Sequence, residues 1–265
     1  MVAKYDENGF LGGKIQEWIE VHRRTHGPAF LQAQQLNREN HRFIDGRNIN
    51  VSDTYQLTTT VLFVRLMELY QGVMVVADRG MAAPTRILFR AFLEAFFHFA
   101  AIHKDPKYLD DYQDQFERQR KTLVNRIRHS NNPELEDLRK PIDARLIAEI
   151  DQIDVRQVSI EEVARRAGQH NTYLTAYAIL SRAVHSCASD LEAYLDYDKG
   201  DQKIVSFRYG PTDAETLRTL CLAGMTMAEA LKGISLDFAE DRSEYCDKAV
   251  ESFRSLLPVT GKDNV

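Results

Sequence analysis

Four residues between Pro84 and His103 stand at successive steps of four: Arg86, Arg90, Glu94 and His98. Almost every other position in that stretch is apolar, with Phe89, Phe92, Leu93, Phe96, Phe97 and Phe99 around the rest of the circumference. Residues four apart stack on one helix face, so the spacing predicts a charged line along an otherwise apolar helix. A guanidinium can grip a phosphate or carboxylate, a carboxylate can share a proton, and an imidazole can act as acid or base. The same groups can equally serve as scaffold. A buried charge without a partner is very costly, and paired charges fix how neighbouring helices align.

A second polar line follows the same rule. Tyr173, Tyr177, Ser181, His185 and Ser189 are again spaced by four, among Ala176, Ile179, Leu180, Ala183 and Val184. Two core helices with polar lines are natural partners, and Arg65 and Glu68 in a third apolar stretch are a further contribution. Read as a site, the group assigns acid/base work to His185 or His98, orientation or proton sharing to Glu94 and anion binding to Arg90. Ser181 stands beside them, and Tyr177, His98, Arg65 and Glu68 serve as ligand contacts. Read as scaffold, the same residues only pair with one another.

The segment Leu88-Phe89-Arg90-Ala91-Phe92-Leu93-Glu94 resembles the Arg-x-x-x-Glu helix of an uncharacterised prokaryotic family, DUF5677. Tyr177 to His185 resembles that family's Tyr-x-x-x-Ser-x-x-x-His helix, and the likeness runs from about Met81 to Gly210. It implies a mainly helical bacterial protein and points to Arg90, Glu94, Ser181 and His185, without supplying a reaction.

Other patterns carry competing readings. Arg165 and His170 match the Arg-x(4–6)-His spacing of the HEPN ribonucleases, but Gly168 is expected to end the helix that should hold both. Ser159 to Gly168 looks like the first helix and turn of a helix-turn-helix DNA reader, yet the helix that follows is apolar where a reading helix presents polar groups. His22 and His26 have the spacing of helical metal ligands; with no acidic residue in a metal motif beside them, they read as a solvated surface pair. Arg118, Arg120, Lys121, Arg126, Arg128 and His129 form a basic face where RNA or a nucleotide would dock. No phosphate-binding glycine loop, zinc-protease or serine-hydrolase motif is present, and no metal or other cofactor is implied.

The elements that must position these residues are helices, because apolar residues recur with helical period almost throughout. Helices are expected over Lys14–His26, Pro28–Ile44, Thr54–Ala77, Pro84–His103, Lys107–His129, Glu134–Ile153 (broken at Pro141), a short stretch after Ser159, Asn171–Tyr197, Asp213–Glu240 and Arg242–Leu257. Lys203–Tyr209 alone reads as extended. The fold class is all-α: one bundle-like multi-helix domain with a short strand or hairpin near 203–209. Residues 1–50 form an N-terminal helical extension, 51–258 the core domain and 259–265 a disordered polar tail.

Composition narrows the classes. With 44% hydrophobic residues the chain can build a core, and a net charge of −5 argues against a dedicated duplex-DNA or membrane-surface binder. Cys187, Cys221 and Cys246 lack metal or disulfide spacing, as in a reducing cytoplasm, with no disulfide-linked partner. No leader-like apolar segment opens the sequence, and the charges within Met81–Ile102 mark a core helix, not a membrane span. A homo-oligomer is expected. Two functions stay open: a non-catalytic ligand- or partner-binding module, and a defence- or toxin-type effector acting on RNA or a nucleotide.

Overall fold

A computed structural model describes residues 6–154, 157–184, 188–198, 200 and 203–258. Helix α1 (Ile15–Ile44) is one element where the sequence suggests two. Its backbone kinks at His26 (φ −114°, ψ 21°), two residues ahead of Pro28, whose ring and missing N–H do not suit a straight helix interior. Helix α2 (Thr54–Asp78) starts at Asp53, whose carboxylate accepts the Gln56 N–H at 3.1 Å. Gly80, at φ +70°, turns the chain into α3 (Ala82–Lys104). A side chain there would run into Trp18 and Pro211, so the turn requires glycine for both its backbone angle and its space.

The short connection folds α3 back along α2, and α11 (Ala214–Asp237) lies against both of them and against α1. Helix α12 (Ser243–Ser255) returns along α11. Phe63, Phe92, Phe97, Phe99, Tyr70 and Phe253 are fully buried between these five helices, and α1 contributes Ala33, Leu36 and Phe43 to the same core. Small residues on α11 (Ala223, Gly224, Ala228, Ala230) let its neighbours come close. Helix α2 is long and apolar enough to cross a membrane by composition, but 44% of that window is buried inside the bundle.

Between α3 and α11 the chain forms one more long helix and then a series of short pieces. They are α4 (Tyr108–His129), α5 (Glu136–Arg139), α6 (Ala144–Asp151), α7 (Ile160–Arg166), α8 (His170–Thr172), a π-helical turn (Tyr173–Tyr177), α9 (Ala178–Val184) and α10 (Ala188–Leu191). Strands β1 (Leu195–Tyr197) and β2 (Ile204–Phe207) then pair antiparallel, Leu195 opposite Phe207. The long helix expected over Asn171–Tyr197 is therefore not formed. Its last residues are drawn into strand by the β-branched and aromatic run Ile204-Val205-Ser206-Phe207, and the Asp196 carboxylate fixes the pairing by accepting from Ser206 Oγ (2.8 Å) and Arg208 Nε (2.9 Å). The hairpin expected near 203–209 is present, and the fold is all-α apart from it. The expected tail, 259–265, lies outside the described residues.

Gly224 faces the Phe253 ring so closely that an added Cβ would overlap it. Gly224→Ala should cost about 1–3 kcal/mol from overpacking, despite alanine's better helix propensity. Urea unfolding checks this; an unchanged midpoint would mean that α12 yields easily.

Candidate functional site

The Arg90 guanidinium is held on three sides. Its Nη2 donates to Tyr177 Oη at 2.7 Å, its Nε to Ser181 Oγ at 3.2 Å, and its Nη1 pairs with Glu94 Oε2 at 3.2 Å. Tyr177 Oη donates in turn to the same Glu94 oxygen at 3.0 Å, and its ring lies under the guanidinium at 4.8 Å. Burial followed by the neighbouring Glu94 charge pushes the Tyr177 phenol well above its usual pKa, so it remains a donor at neutral pH. These contacts pair the two polar lines of the sequence, and they put Arg90, Glu94, Tyr177 and Ser181 in one cluster. The π turn ends at Tyr177, and Ser181 follows one α turn later, its hydroxyl also donating to the Tyr177 carbonyl at 2.9 Å.

His98, one turn beyond Glu94, answers to a different element. Its Nδ1 is 2.8 Å from the buried Tyr108 Oη at the start of α4, which also accepts from Gln115 Nε2 at 3.1 Å. The phenol's own hydrogen is left for Nδ1, which places the imidazole proton on Nε2. Burial lowers the His98 pKa to about 4, against the opposing pull of Glu94, so the ring is neutral at pH 7. At the other end of the line, Arg86 turns away from the cluster to pair with Asp190 (2.6 Å) and Glu215 (3.0 Å).

An open cleft of about 940 Å³ runs along this line between α2, α3 and α4. Arg65, Arg90, Glu94 and His98 line it together with Tyr112, Gln115 and Phe116. Arg65 is exposed and has no hydrogen-bond or ion-pair partner among the described residues, yet it sits close enough to Tyr112 to offset part of the rise that burial gives that phenol's pKa. Glu68 is exposed and is not among the residues that line the cleft. His185, one of the two acid/base candidates, lies outside the described residues, as does Cys187. The sequence reading missed Tyr108, Tyr112, Gln115 and Phe116. The signal for them was available in the aromatic positions of amphipathic α4.

The remaining sequence candidates divide. Within the basic face, Arg118 donates to Gln157, Arg120 pairs with Glu117 and Glu149, and Lys121 donates to the Ile153 carbonyl. Arg126 and Arg128 are exposed, with no such partner among the described residues. Gly168 (φ +71°) ends α7 as expected, although Arg165 and His170 still meet at one Glu161 oxygen, at 2.7 and 3.2 Å. The helix after that turn buries Tyr177 and Leu180, and its outer side mixes the apolar Leu174 and Ile179 with the polar Asn171, Thr175 and Arg182. His22 and His26 are not a solvated surface pair. His22 is only 3% exposed, and Asp213 from the start of α11 joins them to make three potential metal donors. Cys221 and Cys246 are free, buried thiols, and burial raises both to a pKa of about 12.

The model of a family of unknown function (DUF5677) matches residues 56–204. The chain belongs to that family. The DUF5677 span opens in the first turn of α2 and runs to the first residue of β2, so it includes every residue lining the cleft. It also starts earlier than the resemblance read from the sequence, taking in Arg65. No curated protein and no solved structure is significantly similar to the chain.

An imidazole kept neutral by burial makes the fold sensitive to acid. His98 and His22 both have folded pKa values of about 4, against 6.5 when unfolded. As pH falls from about 6.5 to 4 the unfolded chain takes up protons that the folded chain refuses, so stability is lost over that window and is fully present above it. Each group can contribute up to about 3 kcal/mol to the loss. In chelator-treated buffer His98→Gln should roughly halve the slope of unfolding free energy against pH between 6 and 4.5. A slope equal to that of the wild type would refute the assignment.

Proposed function

We propose that the protein is a non-catalytic binding module whose ligand is a small anion bearing a planar ring, of the nucleotide class, held between α2, α3 and α4. The observation that carries this reading is Arg65, an exposed guanidinium without an ion-pair partner among the described residues, at the mouth of a cleft lined by Tyr112 and Phe116. A guanidinium fork suits phosphate or carboxylate, the aromatic rings suit a flat base, and Glu94 and Gln115 accept or donate at the polar edge of such a ring. The cleft volume of about 940 Å³ falls within the range of small-molecule sites. Arg90, which the sequence nominated as the anion binder, is occupied by Tyr177, Ser181 and Glu94, so it acts as the wall that positions Glu94. His98 presents a neutral ring whose Nδ1 is engaged by Tyr108, which favours recognition over proton transfer.

Nucleoside mono-, di- and triphosphates titrated into the full chain, with melting temperature and heat as readouts, test the proposal. At least one should bind, and Arg65→Ala should weaken it about tenfold or more while leaving the ligand-free melting temperature nearly unchanged, as befits an exposed side chain. Absence of binding by all of them at millimolar concentration, or an Arg65→Ala variant that binds like the wild type, refutes it.

A second reading, an effector that acts on RNA or a nucleotide with His185 as acid/base, draws on Arg126. That exposed residue lines a groove beside the cleft together with Arg118, Gln115 and Gln119. It requires that expression inhibit bacterial growth and that His185→Ala abolish the inhibition at an unchanged melting temperature. A harmless wild type, or toxicity that survives the substitution, eliminates it.

A further inference from the structure

Where α1 kinks, the end of α2 and the start of α11 meet it, and His22, His26 and Asp213 come together there. One donor atom from each lies within 4.8 Å of the others, and His26 Nε2 is 3.5 Å from Asp213 Oδ2. Neither ring nitrogen of His22 has a hydrogen-bond partner, although the residue is only 3% exposed. Two unanswered nitrogens in the interior are a cost that native structures seldom carry without reason. The ring is nevertheless firmly held, stacked on Trp18 at 4.4 Å and met edge-on by His26 and Phe30.

The arrangement has what a ligand set needs. Residues 22 and 26 are one turn apart on one face of α1, and Asp213 at the start of α11 meets them there. Asp213 divides its carboxylate, accepting the Ala214 N–H at 2.7 Å through Oδ1 and facing His26 through Oδ2. The Ala77 carbonyl stands beside the His22 ring outside hydrogen-bond geometry, placed to take the N–H of whichever nitrogen is not a ligand. Asp78, the other nearby carboxylate, is already gripped by Arg23 through two contacts of 2.6 Å, which leaves Asp213 as the available anion.

We propose that His22, His26 and Asp213 bind a divalent transition-metal ion, Zn2+ first, as a structural pin between α1 and α11. Two imidazoles and one carboxylate suit zinc and its first-row neighbours, with water completing the coordination. Bond lengths near 2.1 Å set adjacent tetrahedral donors about 3.4 Å apart, which His26 and Asp213 already meet at 3.5 Å, so binding needs the His22 donor to draw in by up to about 1.4 Å. All three ligands lie outside residues 56–204, so the pin is a feature of this chain's flanking helices and not of the span shared with its family.

The test uses the tag-free full chain after chelation and dialysis, titrated with Zn2+ by calorimetry and with Co2+ by visible absorption. One equivalent should bind, Co2+ should develop ligand-field bands, and excess Zn2+ at about a hundred times Kd should raise the melting temperature by about 5–10 °C. Asp213→Asn keeps a helix-capping side chain while removing the charge, and His26→Gln changes a partly exposed residue at the kink; each should weaken binding at least about tenfold. Failure of the wild type to bind either ion at micromolar concentration overturns the proposal. So does unchanged affinity in both variants, which would place the metal on other histidines. The metal-free melting temperature of each variant separates lost binding from lost folding.

Discussion

Helix α3 is surrounded by phenylalanines and still carries four ionisable side chains in a line, so the rest of the chain has to bring a polar atom to each of them. Asp190 and Glu215 come to Arg86, Tyr177 and Ser181 to Arg90, and Tyr108 to His98. These partners are spread over α4, α9, α10, α11 and the π turn, so several separate elements converge on one helix. Glu94 is the member least covered by this arrangement, 41% exposed, and it is there that the line opens to solvent and a cleft forms.

The regular helices were legible because their apolar periodicity is strong and their ends are marked: Asp53 and Ser159 cap α2 and α7, and Gly80 and Gly168 stop the helices that precede them. The pairing of Arg90 and Glu94 with Tyr177 and Ser181 was legible for the same reason, since two lines of period four on apolar helices have to find each other. Leu195–Tyr197 was misread as helix because its local composition does not oppose helix; the partner strand, about ten residues later, decides the matter. The burial of His22 was hidden altogether, depending on Trp18 stacking and on Asp213 arriving from far along the chain.

The two regions of chemical interest differ in what supports them. The cleft is walled by α2, α3 and α4, all inside the span shared with DUF5677, while the bundle that keeps α2 and α3 aligned is completed by α1, α11 and α12 from outside it. The His22, His26 and Asp213 corner joins two of those outer helices at the end of α2 opposite the loop that precedes it. Arg65 sits about three turns from Asp53 and a little further from Asp78, so the corner and the cleft are separated by roughly half the length of α2.

The π turn at Tyr173–Tyr177 is a change of phase written into a helix. A π turn holds one residue more than an α turn needs, and one residue is worth about 100° of rotation. Were the segment shortened by a residue and allowed to relax into α geometry, Tyr177 and Ser181 would no longer share an azimuth with the elements packed ahead of them. Arg90 would then be left with Glu94 alone. Length in this stretch is thus a coordinate of its own. Replacing a side chain there alters one contact, but adding or deleting a residue turns every group downstream to a new bearing.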